Sequence, residues 1–127
     1  MKTYIGKRHG GICEVWICGR DPHSGRDIAS RELPLYLHIR NHSPTGFEWG
    51  YGGSGPAQLA LAILVDHFTV DRGDGAPFTN VEAAEFLHQK FKFKVVGRFP
   101  QAGWTLTTEE INAAIEQIRG EGKEERA

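Results

Sequence analysis

The stretch GGSGPAQLALAILVDH, residues 52–67, carries the strongest indication of the fold. From Ala57 to Val65 almost every side chain is apolar, as in a helix that is buried on most of its sides. Ser54 is a favourable N-cap, and Pro56 suits the first helical turn, where a missing N–H costs nothing. Asp66 and its neighbour mark a return to solvent. We therefore predict a central core helix that begins directly after two glycines.

The N-terminal half of the chain predicts strands against which this helix can pack. Residues 3–8 and 12–18 flank Gly10 and Gly11 and predict a β-hairpin, whereas residues 19–30 predict a loop. Residues 33–40 alternate strictly between apolar and polar side chains, which indicates a half-buried strand with a polar outer face. Alternating aromatic residues over 47–51 predict a short fourth strand.

Two further helices are predicted in the C-terminal half. Thr79 and Glu82 form a capping box, followed by apolar side chains at helical spacing and by Gly97 as a C-terminal cap. Residues 91–96 also alternate as a strand would, and this alternative stays open. Thr107 and Glu110 repeat the capping-box pattern ahead of a last helix over 107–120.

The expected architecture is therefore α+β, with an antiparallel sheet of about four strands, a buried central helix and two further helices. We expect a single domain over residues 1–120 and a flexible charged tail over 121–127. A chain of 127 residues has the usual size of one domain.

Composition and charge exclude several classes of function. The net charge of −1 provides no basic field, which disfavours nucleic-acid binding. The longest apolar stretch, residues 59–65, is too short to cross a bilayer, and no signal peptide opens the sequence, so a cytosolic protein is expected. Cys13 and Cys18 would point to opposite faces of a strand, too far apart for a disulfide.

No pattern indicates catalysis, and no metal or cofactor is predicted. The six histidines lack H-E-x-x-H spacing, and no second cysteine pair completes a zinc site. The hydroxyls of Ser43, Thr45 and Ser54 lack the G-x-S-x-G spacing of a nucleophile elbow.

The glycine-rich segment GYGGSG, residues 50–55, is the strongest functional feature. It matches G-x-G-x-x-G and leads directly into the core helix, whose unpaired N–H groups could hold a phosphate. The sequence pattern lacks the β-α-β unit of a dinucleotide site. An alternative is that the glycines have a purely structural role and only allow a tight turn from strand to helix. The first hypothesis is a non-enzymatic binder of a phosphate-bearing or nucleotide-like molecule. Its predicted ligand-binding residues are Arg40, His42, Trp49, Tyr51, Gly52, Gly53, Ser54 and Gly55.

The second hypothesis is a protein-interaction module that inhibits a host protein complex. Trp16, Tyr36 and His38, with Arg40, would form its contact surface on the polar sheet face, because tyrosine, tryptophan and arginine dominate interface energetics. An exposed edge strand beside such a face is also compatible with a homodimer.

The stretch NHSPTGFEWGYGGSGPAQLA, residues 41–60, resembles a family of small uncharacterised proteins from bacteria, phages and other mobile elements. The later WTLT, residues 104–107, and Glu110-Ile111 fit the same pattern, so the resemblance extends from about Leu33 onward. It implies no established activity. The phage context implies antagonism of host defence, through a host protein or a sequestered signalling nucleotide.

Overall fold

The first two strands form the predicted hairpin. In the computed structural model, which describes residues 2–20, 27–70 and 78–125, strand β1 is Lys2–His9 and pairs antiparallel with β2, Ile12–Arg20. Gly10 and Gly11 form the turn with positive φ angles. Tyr4, Val15 and Ile17 point to one face of this hairpin and are buried.

The third strand lies in a segment for which the sequence predicts a loop. Strand β3 is Asp27–Glu32 and pairs antiparallel with β2. The strand predicted over residues 33–40 is wrong, because these residues form a loop in which Tyr36 has a φ of 55°. The side-chain amide of Gln58 binds the carbonyl oxygens of Leu35 and Arg40, so both groups pair with the core helix and not with a strand.

The fourth predicted strand, over residues 47–51, is also wrong. The segment has no regular structure. The N–H of Gly50 donates to the carbonyl of Val96 at 3.1 Å, and the Gln101 amide donates to the carbonyl of Trp49 at 3.2 Å. Its backbone therefore pairs with residues far along the chain and not with the sheet.

Helix α1, Ser54–His67, is the predicted core helix, and residues 55 to 66 are all buried. Its N-cap is Gly53 and not Ser54, which is the first helical residue. The predicted return to solvent at Asp66 is wrong, since this carboxylate is 2 % exposed. It accepts a hydrogen bond from the Tyr4 hydroxyl at 2.5 Å and pairs with Lys2 and Arg31. Three donors thus compensate for the buried charge.

Strands β4, Thr69–Val70, and β5, Phe78–Thr79, form a small separate pair before helix α2, Val81–Lys94. The N-cap of α2 is Asn80, whose side chain accepts from the Ala83 N–H at 3.1 Å, and not the predicted Thr79. Residues 91–94 are helical, so the alternative of a strand over residues 91–96 is wrong. The helix ends before Val95, ahead of the predicted cap at Gly97, and a 3₁₀ turn follows over Val96–Arg98.

Strand β6, Gly103–Thr107, has no counterpart in the sequence prediction. It pairs antiparallel with β1 and completes a four-stranded sheet in the order β3-β2-β1-β6. Helix α3, Thr108–Glu125, follows directly, and its predicted capping box forms, since the Glu110 N–H donates to the Thr107 hydroxyl at 3.2 Å. The helix runs beyond Gly120, where its end was predicted, and Glu121 accepts from the Lys94 ammonium.

The architecture is thus the predicted α+β fold, an antiparallel sheet with three helices, although two of its four strands lie elsewhere in the sequence. Within the described residues, no helix is both long and apolar enough to span a membrane.

Candidate functional site

A groove of about 380 Å³ lies beside the start of α1, and we call it the turn groove. One wall is the end of the β1–β2 hairpin, a second is the loop before α1, and a third is the glycine-rich turn with the first residues of the helix. Its lining residues are Gly11, Ile12, Cys13, Ser43, Thr45, Gly46, Phe47, Glu48, Tyr51, Ser54 and Gly55. The glycine-rich turn therefore faces a concave surface.

Tyr51 is an exposed aromatic residue at the edge of the groove. Its side chain is 49 % exposed, and a Cβ added to Gly53 would lie 2.5 Å from its Cε2 atom. Glycine at position 53 thus lets the ring lie directly on the turn. Gly52 is exposed but does not line the groove, since it faces the Phe93 ring of α2.

At the N-terminus of α1, the N–H groups of Ser54 and Gly55 have no partner within the helix, although Gly55 is buried. Pro56 has no N–H, and the Ala57 N–H already donates to the carbonyl of Gly53 at 3.0 Å. The Ser54 side chain is exposed, and the N-cap residue, Gly53, has no side chain that could cap the helix. The end of a helix also carries partial positive charge, which contributes about 0.3–1 kcal/mol toward an anion at an exposed site.

A carboxylate and a guanidinium meet beside this helix end. Arg8 donates two hydrogen bonds to Glu48, at 2.9 and 2.6 Å, and one more to the carbonyl of Gln101 at 2.7 Å. The hydrogen bonds from Arg8 are the main reason why the pKa of Glu48 falls to about 2. Glu48 is therefore ionised at neutral pH, and the pair adds no net charge to the groove.

Trp49 does not provide the predicted stacking face. Its side chain is fully buried, with its indole N–H donating to the carbonyl of Gln101 at 3.1 Å. The ring packs edge-on against Trp104, and the Arg8 guanidinium lies 5.1 Å from its centroid. Trp49 therefore belongs to the core beneath the groove, and only Tyr51 of the two predicted aromatic residues reaches the surface there.

Arg40 and His42 also lie outside the turn groove. Arg40 forms an ion pair with Glu85 of α2 at 3.8 Å, and 56 % of its side chain is exposed. The Nε2 atom of His42 lies 3.0 Å from Nε2 of His88, whose Nδ1 is 2.6 Å from the carbonyl of Glu85. That carbonyl requires Nδ1–H on His88, so Nε2 of His88 accepts and His42 donates. Burial lowers the pKa of both imidazoles.

Gln58, one turn into α1, fixes the loop that carries half of the groove. Its buried side-chain oxygen accepts from the N–H groups of His42 and Ser43, at 2.7 and 3.1 Å. Its amide nitrogen donates to the carbonyls of Leu35 and Arg40, at 2.5 and 3.0 Å. Ser43, adjacent to this anchor, lines the groove, so Gln58 positions the groove wall from inside the core.

The three predicted interface residues do not all belong to the sheet. Trp16 lies on the face of β2 opposite the buried Val15 and Ile17, where its cross-strand neighbour is Ile5. Tyr36 and His38 lie in the loop after β3, with ring centroids 6.1 Å apart. The surface predicted from residues 33–40 is therefore not a sheet face.

Sequence reasoning missed the side chains that shape the groove. Arg8 lies 40 positions before Glu48 and Gln101 lies 53 positions after it, and no local pattern links the three residues. Gln58 carried a detectable signal, since it is the single polar residue within the apolar run from Ala57 to Val65. Among the described residues, no cluster of three or more histidine, cysteine, aspartate or glutamate side chains could hold a metal ion.

Comparison with known proteins identifies the family. A family model described as a family of unknown function, DUF6166, matches residues 18–117, which include the loop and helix walls of the groove but not its hairpin wall. No curated protein and no solved structure matches the chain. Because the matched range covers most of the sequence, the chain belongs to the DUF6166 family of unknown function.

Proposed function

We propose that the protein is a non-enzymatic binder that holds a nucleotide-like molecule in the turn groove. The observation that carries this proposal is the half-exposed Tyr51 ring, which lies on the glycine turn at the edge of a groove next to a helix N-terminus. A base stacks on such a ring with a contribution of about 1–3 kcal/mol.

The remaining lining groups suit the other parts of a nucleotide. The hydroxyls of Ser43, Thr45 and Ser54 and the ionised carboxylate of Glu48 are partners for sugar hydroxyls. The N–H groups of Ser54 and Gly55 are donors for a terminal phosphate. Since Arg8 neutralises Glu48, this carboxylate repels a phosphate less than a free one would.

The expected affinity is modest. Stacking and the helix end together supply a few kcal/mol, and even millimolar binding requires about 4 kcal/mol. The protein would therefore serve as a sensor or sink for an abundant nucleotide. The resemblance to proteins of phages and mobile elements supports a counter-defence role, in which a nucleotide that accumulates to high concentration is withheld from the host.

Calorimetric titration with nucleoside monophosphates and cyclic dinucleotides tests this proposal. We expect selective binding of at least one of them, and Tyr51→Ala should weaken it roughly 5- to 150-fold through the lost stacking. Ser54→Ala should weaken it less, because the backbone N–H remains.

Phe86→Ala is the matched control, because it removes an exposed aromatic ring from the outer face of α2, away from the groove. Equal losses from Tyr51→Ala and Phe86→Ala would contradict a site at the glycine turn. So would a panel in which nothing binds.

A further inference from the structure

Helix α2 contains a buried lysine without a counter-charge. Lys92 is 8 % exposed, yet among the described residues its ammonium forms neither a hydrogen bond nor an ion pair. It lies 4.2 Å from the centroid of the Phe93 ring, which is its one charge-related contact there. The ammonium is not sealed off, because Trp104 Nε1 is the only fully enclosed side-chain polar atom without a partner in the described part of the chain. Lys92 therefore offers free donors to an anion that reaches it.

Arg40 and the histidine pair surround this lysine with further positive and titratable groups. The guanidinium of Arg40 is 3.8 Å from the Glu85 carboxylate, which exceeds a hydrogen-bond distance, and 56 % of its side chain is exposed. Burial lowers the pKa of His42 and His88, and the charges of Arg40 and Lys92 lower it further. The four groups are therefore close enough for their charges to act on one another.

We propose that Arg40, Lys92 and the histidine pair bind a dianionic oxyanion, either an inorganic ion or the phosphate group of a small molecule. Two permanent positive charges outweigh the single carboxylate of Glu85, which favours an anion and disfavours a metal cation at the paired imidazoles. None of these residues lines the turn groove, so this site is separate from the proposed nucleotide site.

The histidine pair couples this binding to protons. Nε2–H of His42 donates to Nε2 of His88, which also lies 3.3 Å from the amide nitrogen of Gln89, and Nδ1–H of His88 donates to the carbonyl of Glu85. Among the described residues, Nδ1 of His42 is the ring nitrogen of the pair that has no hydrogen-bond partner. A proton taken up at this atom preserves the hydrogen bond between the rings and makes His42 a cation with a free N–H.

A bound oxyanion offsets the repulsion that Arg40 and Lys92 exert on this proton. The pKa of His42 is therefore higher in the complex than in the free protein. Oxyanion binding takes up a proton at Nδ1 of His42, and binding tightens as the pH falls through the raised pKa.

Calorimetric titration with sulfate at low ionic strength tests the site. The wild-type protein should bind sulfate saturably, and Lys92→Met should weaken binding roughly tenfold or more, because a charged donor is lost while the apolar stem is retained. Arg40→Gln, on an exposed side chain outside the core, should weaken it in the same direction. Lys90→Met is the matched control, since it removes the same charge from the exposed side of the same helix, and it should bind like the wild type.

Two results would overturn the site. One is a wild-type protein that binds no sulfate up to about 20 mM. The other is an equal loss of affinity in Lys92→Met and Lys90→Met, which would assign the binding to general surface charge. Circular dichroism verifies that the variants are folded.

The proton coupling has its own measurement. Sulfate is a dianion at every pH of the experiment, so the heats measured in buffers of different ionisation enthalpy give the protons taken up by the protein. The wild type should take up protons near neutral pH and bind several-fold more tightly at about pH 6 than at about pH 8. His42→Asn should bind sulfate without this uptake, and an unchanged uptake in His42→Asn would overturn the role of His42.

Glycerol phosphate distinguishes the two sources of the oxyanion. An ester that binds at least as tightly as sulfate, with the same loss in Lys92→Met, identifies a phosphate group on a larger molecule as the ligand. An ester that binds more weakly than sulfate identifies a free inorganic ion.

Discussion

Replacing Gln58 with leucine should release the loop over residues 35–43 from α1. The four hydrogen bonds of the Gln58 side chain join α1 to backbone groups of Leu35, Arg40, His42 and Ser43. Leucine has a similar volume and a higher helix propensity, so packing and helix formation should change little. The loss of hydrogen bonding is therefore the main effect of the substitution.

The magnitude follows from the number of bonds and their exposure. Four hydrogen bonds at about 1 kcal/mol each give a total of about 4 kcal/mol. Arg40 is exposed and His42 is half-buried, so water replaces part of the loss at these positions. We expect the free energy of unfolding to fall by about 2–3 kcal/mol, which lowers Tm by roughly 10 °C in a domain of this size.

Two measurements separate the local effect from the global one. Thermal unfolding gives the change in Tm, with Gln117→Leu on the exposed face of α3 as the matched control. Hydrogen exchange by NMR should show faster exchange at the amides of His42 and Ser43, while the amides of α1 retain their protection relative to global stability. A loss below about 0.5 kcal/mol, with wild-type exchange at both amides, would refute the reasoning.

Two further perturbations test other parts of the account. Burial holds the pKa of His42 and His88 below the ordinary value, so the folded state favours both neutral rings. The two neutral imidazoles should make their full contribution to the free energy of unfolding above about pH 6.5. That contribution should be lost as the pH falls through the lowered pKa values of the folded state. Urea unfolding from pH 8 to 5 should show a smaller decline in His88→Asn than in the wild type, and equal declines would contradict the paired geometry. Asp66→Ala should lower the free energy of unfolding by about 2–3 kcal/mol, because the fully buried Tyr4 hydroxyl loses its acceptor while Lys2 and Arg31 remain partly solvated. Guanidinium unfolding measures this loss, and a change under 0.5 kcal/mol would show that the buried carboxylate is not stabilising.

The features that local sequence determines were predicted correctly. The apolar run from Ala57 to Val65 predicts a buried helix, which the structure contains. Gly10 and Gly11 adopt the positive φ angles that the hairpin turn requires. The capping box of Thr107 and Glu110 forms as expected. Each of these signals lies within a few neighbouring residues.

The errors arise where distant residues override a local pattern. The alternation of apolar and polar side chains over residues 33–40 is typical of a strand. In the structure, the side-chain amide of Gln58 donates hydrogen bonds to the carbonyls of Leu35 and Arg40, and the segment is a loop. Asp66 looks like a helix end that meets solvent, yet Tyr4, 62 positions earlier, supplies a donor that allows its burial. Partners so far apart leave no local pattern in the sequence.

The ligand-binding role of the candidate site stays a prediction, and the structure brings only some of its residues together. Tyr51, Ser54 and Gly55 line the turn groove, whereas Arg40 and His42 lie outside it. Trp49 is buried in the core, where its indole N–H donates to the carbonyl of Gln101. The periodicity of the sequence alone does not distinguish a surface aromatic side chain from a buried one. Glu48 became part of the groove wall through its pairing with Arg8 from β1.

An NMR titration of the labelled protein with a nucleoside monophosphate, the matching nucleoside and inorganic phosphate tests the central claim most directly. The proposed site predicts saturable shifts of the amides of Tyr51, Ser54 and Gly55 with the monophosphate. It also predicts weaker shifts at the same amides with the nucleoside alone or with inorganic phosphate alone, because the stacking on Tyr51 and the phosphate contacts both contribute to binding. If all four common monophosphates leave these three amides unshifted, or shift only amides of α2, the turn groove is not a nucleotide site.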